Sequence, residues 1–217
     1  DYNDVKHMLT AISTSNAIPL VRVPWNEPYE IMKVLDAGAY GVIVPLVNNR
    51  EEAERAVAAC RYPPEGIRSY GPNRVTFYSG KGYVRAANSE IACIVMIETA
   101  EALENLDDIM STPGVDAVYI GPNDLAYALD LHPSGDNNDP KHVATVTHIL
   151  ETAKKHGIAA GIQTGSLEYT KRYLDQGFHM VTLGSDRGFM ERLARQELQA
   201  AREGTAAERI EPDGNFY

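Results

Sequence analysis

The sequence predicts a parallel α/β fold, with a (β/α)8 barrel as the leading architecture. Three observations lead there. Short, β-branched apolar runs alternate with amphipathic helical stretches along the chain. The runs are almost continuously hydrophobic, as strands buried on both faces of a parallel sheet must be. Several helical stretches end in a glycine-containing turn that leads into the next run, which is the βα repeat. Six strand runs are found, however, and a barrel needs eight. A six-stranded open sheet is the structural alternative. No G-x-G-x-x-G turn opens a helix, which weighs against a dinucleotide-binding sheet.

The elements follow in order. The chain opens on NDVKHMLTAIS, an amphipathic helix with no strand before it. PLVRVPW (19–25) is the first strand run. EPYEIMKVLDAG then places Ile31, Val34 and Leu35 on one helical face and stops at Gly38. GVIVPLV (41–47) is the second run, and REEAERAVAAC has the acidic first turn that suits a helix N-terminus. The stretch GIRSYGPNRVTFYSGKGY, with Arg68, Tyr70 and Arg74, reads as a solvated glycine-rich loop. ACIVMIE (92–98) is the third run, and TAEALENLDDIMST gathers Leu103, Leu106 and Ile109 on one helix. DAVYIGP (116–122) is the fourth, leading into a short turn, NDLAYAL. The next helix is capped by Asp139, has Pro140 at its first position and ends at Gly157. AAGIQTG (159–165) and MVTLGSD (180–186) are the fifth and sixth runs, separated by a helix from Ser166 to Gly177. A last helix runs from about Gly188 to Arg202, and RIEPDGNFY reads as an irregular extension. The organisation is one domain over 1–205 with a tail over 206–217.

Composition narrows the function. The 217 residues suit one large domain, and the formal charge of −10 repels phosphate backbones. No apolar run approaches the ~20 residues of a spanning helix. The N-terminus has neither Met nor a signal-peptide pattern, so the chain reads as a piece of a longer protein or a processed product. Cys60 and Cys93 lack metal-type spacing and read as buried thiols in a reducing compartment.

Chemistry is sought where βα folds place it, at the C-terminal ends of the strands. Those ends carry Arg22 and Trp25, Pro45, Glu98, Asn123 and Asp124, Gln163 and Thr164, and Ser185 and Asp186. Glu98 and Asp124 end adjacent parallel runs, so both carboxylates face one pocket. Each alone fits a helix cap. Two together near Arg22 favour a cation site, and all-oxygen donors favour Mg²⁺ or Mn²⁺ over Zn²⁺. Arg22 either pairs with Glu98 or Asp36, or holds a substrate carboxylate or enolate oxygen. In GPND, Gly121 and Pro122 shape a tight loop whose Asn123 and Asp124 amides suit a carboxylate. Asp36 ends its helix where an acid opposes the dipole, which hints at a tertiary partner. The six histidines form no recognisable constellation.

The segments VRVPWNEP, RYPPEGIRSYGP, MIETAEALENLDDI and GVDAVYIGPNDLAYAL, at these spacings, resemble the HpcH/HpaI aldolase family. The resemblance covers nearly the whole chain. It implies a (β/α)8 barrel of the phosphoenolpyruvate/pyruvate superfamily, lacking here the first two strands and first helix. It implies a cytoplasmic, metal-dependent (Mg²⁺, Mn²⁺ or Co²⁺) lyase that splits a 4-hydroxy-2-keto acid into pyruvate and an aldehyde, working as a hexamer built as a trimer of dimers. Glu98 and Asp124 match the family's metal ligands. Arg22 matches the arginine on the keto oxygen, and the Gly121–Asp124 loop matches the pyruvate carboxylate cradle. Asp36 matches an acid that reaches a neighbouring subunit's site. The family's catalytic His, in a Gly-Glu-His stretch, is not within these residues. Met96 stands where many relatives carry a polar residue. The alternatives are a CoA-ester lyase of the citrate lyase β-subunit type and a catalytically incompetent fragment or paralogue.

Overall fold

The computed structural model describes residues 1–203; the RIEPDGNFY extension lies outside them. In chain order the elements are α1 (Tyr2–Ile12), β1 (Leu20–Arg22), α2 (Pro28–Ala37), β2 (Gly41–Val44), α3 (Arg50–Cys60), α4 (Thr76–Ser79), α5 (Tyr83–Glu90), β3 (Ala92–Ile97), α6 (Ala100–Glu104), α7 (Leu106–Met110), β4 (Ala117–Ile120), α8 (Pro122–Ala128), α9 (Pro140–His156), β5 (Ala159–Ile162), α10 (Leu167–Gln176), β6 (Met180–Val181) and α11 (Asp186–Glu203). The six strands form one parallel sheet in the order β1-β2-β3-β4-β5-β6. Sequence neighbours are therefore spatial neighbours throughout, the topology of consecutive βα units. Among the described residues β1 and β6 are the sheet edges and do not meet.

Alternation along the strands sorts side chains onto two faces. Val42, Val44, Cys93, Val95, Ile97, Val118, Ile120, Ala160 and Ile162 pack under the helices in the main core. A fully buried side chain such as Ile120 or Ile162 contributes about 1.5–3 kcal/mol there. The other face carries a second cluster, Ile94, Met96, Ala117 and Tyr119, with Ile43, Ala92, Ala159 and Met180 against it. The Tyr119 hydroxyl crosses this inner face from β4 to Thr182 Oγ1, 2.6 Å away beyond β6. The sheet curls about the inner cluster.

The helix signals mostly act as the sequence predicts. Asp139 caps α9 by accepting from the Lys141 N–H, and Ser166 caps α10. Gly38 ends α2 with φ 116°, a conformation that favours glycine, and a Cβ there would overlap the Tyr78 hydroxyl. Three stretches differ. The TAEALENLDDIMST helix is broken at Asn105 into α6 and α7, where the Asn105 amide donates to the Asn48 carbonyl. NDLAYAL is part of a helix, α8, and not a bare turn. The stretch expected as a solvated loop contains α4, the start of α5, and Arg68, whose side chain is fully buried. Arg68 is covered because its guanidinium sits 4.5 Å from the centroid of the Tyr62 ring and donates to Asp36 Oδ1 and the Tyr83 hydroxyl, at 2.7 and 2.9 Å. Both cysteines are buried.

Candidate active site at the C-terminal edge of the sheet

Glu98 follows β3 by one residue and continues the inner-face series Ile94, Met96. It is 2% exposed. Its Oε1 accepts the Leu46 N–H at 2.9 Å, and its Oε2 is buried with no partner among the described residues. Burial pushes the carboxyl pKa up. The Leu46 N–H opposes the rise, the Asp124 charge adds to it, and the Arg22 charge opposes it. Both Asp124 and Arg22 thus lie close enough to act on Glu98 electrostatically.

Gly121 caps α8 and continues the inner-face series of Ala117 and Tyr119. It stands directly against Glu98: a Cβ on Gly121 would be 3.3 Å from Glu98 Cβ and 3.0 Å from Met96 Cε. Pro122 occupies the first helical position, where its missing N–H costs nothing. Asn123 and Asp124 follow in the first turn, and both are exposed. Arg22 ends β1 in register with Ile43, which places it on the inner face. It is exposed, and among the described residues it makes no ion pair within 4.0 Å; Asp36 is taken by Arg68 instead. The salt bridge to Asp36 considered from sequence does not form.

The edge therefore carries Arg22, Glu98, Gly121, Pro122, Asn123 and Asp124. Asp36 lies apart, 22% exposed in its pair with Arg68. Among the remaining strand ends, Thr164 is buried and bonded to the Thr182 carbonyl, and Gln163, Ser185 and Asp186 are exposed. Trp25 is 55% exposed. Among the described residues no group of three or more His, Cys, Asp and Glu side chains forms a closed metal cage. Glu98 and Asp124 nevertheless fit a hard cation: their donors are all oxygen, and Glu98 Oε2 is an orphaned buried acceptor with glycine opposite it.

Two residues at the edge were not singled out from sequence. Leu46, just past β2, has φ 53°, unusual for a branched residue, and this turn aims its N–H at Glu98. His142 is fully buried, with Nε2 3.3 Å from the Pro122 carbonyl under the α8 turn and Nδ1 unpartnered. Its position was legible in hindsight, because His142, Val146, Ile149 and Ala153 recur on one face of α9.

An orphaned carboxylate, a second acid and an exposed arginine thus share the C-terminal edge of a curled parallel sheet, the edge at which βα folds carry their chemistry. The family follows from comparison. A model of the HpcH/HpaI aldolase/citrate lyase family matches residues 2–191, and the chain belongs to that family. It is 42% identical over 202 residues to the hydroxypyruvate/pyruvate aldolase of Rhizorhabdus wittichii, covering 93% of this chain and 80% of that one. It is 41% identical over 192 residues to the 5-keto-4-deoxy-D-glucarate aldolase of Enterobacter sp. (strain 638), covering 88% and 74%. Among solved structures, a HpcH/HpaI aldolase/citrate lyase family protein from Burkholderia cenocepacia J2315 matches with a TM-score of 0.85 at 32% identity, over 93% of this chain and 81% of that one.

Proposed function

We propose that this chain is a divalent-metal-dependent pyruvate aldolase, reversibly cleaving a 4-hydroxy-2-keto acid to pyruvate and an aldehyde. The carrying observation is Glu98 Oε2, a buried carboxylate oxygen left without a partner beside Asp124 and Arg22. Such an atom is costly unless something positive completes it. Glu98 and Asp124 would hold Mg²⁺, Mn²⁺ or Co²⁺. When bound, the cation supplies Lewis-acid stabilisation of negative charge on the substrate's keto oxygen.

The chain's own residues do the rest. Arg22 adds a fixed positive charge at the same oxygen. The Asn123 and Asp124 amides receive the substrate carboxylate, and Gly121 leaves the room that this approach needs. Met96 and Tyr119 keep water from beneath the site. As the C4 hydroxyl loses its proton, the C3–C4 bond breaks and its electron pair passes to the keto oxygen, giving the enolate of pyruvate and the aldehyde. Protonation at C3 completes pyruvate. Arg22, Glu98 and Asp124 have other parts in this reading, and the His142 Nε2 is taken up by the Pro122 carbonyl. By analogy with the family, the base is a water or hydroxide steered by a histidine of the Gly-Glu-His type.

The same reading extends the six-stranded curl to an eight-stranded barrel closed between the β1 and β6 edges. It also makes the protein a homo-oligomer, a hexamer arranged as a trimer of dimers, with Asp36 near a subunit contact. Tyr70 and Phe77, 78% and 87% exposed on the segment that carries Arg68, give apolar surface for such a contact. Among the described residues no helix is long and apolar enough to cross a membrane.

Pyruvate release from a 4-hydroxy-2-keto acid should require a divalent cation, stop with a chelator, and resume on adding Mn²⁺. Glu98→Ala should not recover with saturating Mn²⁺; full activity in that variant would sink the proposal.

A further inference from the structure

Glu98 has two carboxylate oxygens, and only one is held. What decides which way the group turns lies outside the acids themselves. Oε1 is fixed by the Leu46 N–H, and Leu46 adopts φ 53° in the turn that carries this donor. A leucine does not hold that conformation unaided; the surroundings must impose it.

Asn48 imposes it. Its Nδ2 donates to the Leu46 carbonyl at 3.1 Å, closing the turn that carries the strained residue. Its Oδ1 accepts the Thr99 hydroxyl at 2.5 Å. Thr99 is the residue after Glu98, and its Oγ1 also accepts the Ala102 N–H at 3.0 Å as the cap of α6. One side chain therefore ties Leu46, just past β2, to Thr99, just past β3. The backbone of Asn48 is anchored in turn: its N–H donates to Glu52 Oε2 at 2.7 Å, and its carbonyl accepts Asn105 Nδ2 at 2.9 Å. Those anchors bind the turn to α3 and to the break between α6 and α7. Neither of the two linked segments can shift alone.

We propose that Asn48 is the positioning residue that sets the Glu98 carboxylate, holding Oε1 on Leu46 so that Oε2 stays free for the cation. It touches neither the substrate nor the reacting atoms. The inference rests on Glu98 being a cation ligand, and deepens that reading by assigning the residue that orients it. Residues that orient a metal ligand commonly govern metal affinity by about 10–100-fold.

The test is Mn²⁺ binding, followed by electron paramagnetic resonance on the full chain without substrate, well below the unfolding temperature. Asn48→Ala should weaken Mn²⁺ binding about tenfold or more. Adding Leu46→Gly to that variant should restore much of the affinity, because glycine adopts φ 53° without being held. A purely structural role for Asn48 would give no such rescue. Should Asn48→Ala fail to fold, Thr99→Val, which removes the other anchor, should weaken Mn²⁺ binding in the same direction. Glu98→Gln is the reference. If the unmodified chain binds no Mn²⁺, or Glu98→Gln binds it equally well, the ligand reading falls and this inference with it. If Glu98→Gln loses binding while Asn48→Ala or Thr99→Val retains it in full, this inference alone is overturned.

Discussion

Gly121→Ala is the most direct probe of the site, because it adds one methyl group against a single atom. The backbone at Gly121, φ −89° and ψ 93°, is open to alanine, so any effect arises from space and not from strain. The new Cβ would lie 2.4 Å from Glu98 Oε2, where a carbon–oxygen contact needs about 3.4 Å. Either the carboxylate or the α8 turn must therefore move by about 1 Å, and a misplacement of that size at a reacting centre costs on the order of 100-fold. The expected outcome is kcat/KM for pyruvate release lowered about 100-fold, equivalent to about 2.7 kcal/mol of lost transition-state stabilisation. Met96 Cε, 3.0 Å from the same Cβ, limits retreat downward, so overpacking should also lower stability by about 1–3 kcal/mol. Steady-state kinetics with urea unfolding separates the two effects. Gly82→Ala is the control: a Cβ there meets nothing within 4 Å, and activity should be unchanged. A Gly121→Ala enzyme with kcat/KM within about threefold of the parent would refute the placement of Glu98 against this turn.

Two predictions concern residues that support the edge. Burial holds His142 below its ordinary value of 6.5, with the Pro122 carbonyl and the Asp139 charge opposing the drop. The unfolded chain then binds the proton more readily, so stability from this residue is present above pH 6.5 and lost as pH falls through the depressed folded value. Urea unfolding at pH 7.5 and 5.5 should show a smaller acid loss for His142→Phe than for the parent; equal losses would remove His142 from the account. Arg68→Ala should destabilise the chain by about 3–5 kcal/mol, since it leaves the half-buried Asp36 without its cation and strips the Tyr62 and Tyr83 rings of their filling. Arg68→Lys should recover little, because a compact ammonium does not stack on the Tyr62 and Tyr83 rings as the planar guanidinium does. An Arg68→Ala chain of parental stability would count against this pair as a structural tie.

The inner strands β2–β5 were legible because parallel strands buried on both faces leave an apolar run, and the partly exposed edges β1 and β6 carry enough of the same pattern. Their C-terminal limits were not. The second run overshot by three residues, because apolar residues continue past the last ladder residue, and the third and sixth overshot by one and five. Val44 ends β2, yet Pro45, Leu46 and Val47 look equally strand-like until Leu46 turns left-handed. Glu98, Asp124 and Arg22 were legible singly, since charge is conspicuous at the end of an apolar run. Their supports were not, for a different reason. Leu46 acts through its backbone N–H and Asn48 through an amide that links segments 51 residues apart in sequence, and neither leaves a local periodicity. Arg68 misled in the opposite direction, since its glycine-rich surroundings suggested solvent while two tyrosine rings enclose it.

The supports explain why a buried acid persists at this edge. Glu98 sits on a wall of Ile94 and Met96, which disfavours its charge, and receives only one hydrogen bond, from a strained residue. Each feature is a local penalty in the chain alone, and together they leave Oε2 dry, oriented and unmatched. A carboxylate meant only to cap α6 would need none of this, because Thr99 already caps that helix. A carboxylate meant only to pair with Arg22 would bring the two into contact, and no such pair forms within 4.0 Å among the described residues. The cation proposed above would offset the buried charge and match the orphaned oxygen together. In that reading it would sit between Glu98 and Asp124, with Gly121 leaving the space beside Glu98 Oε2.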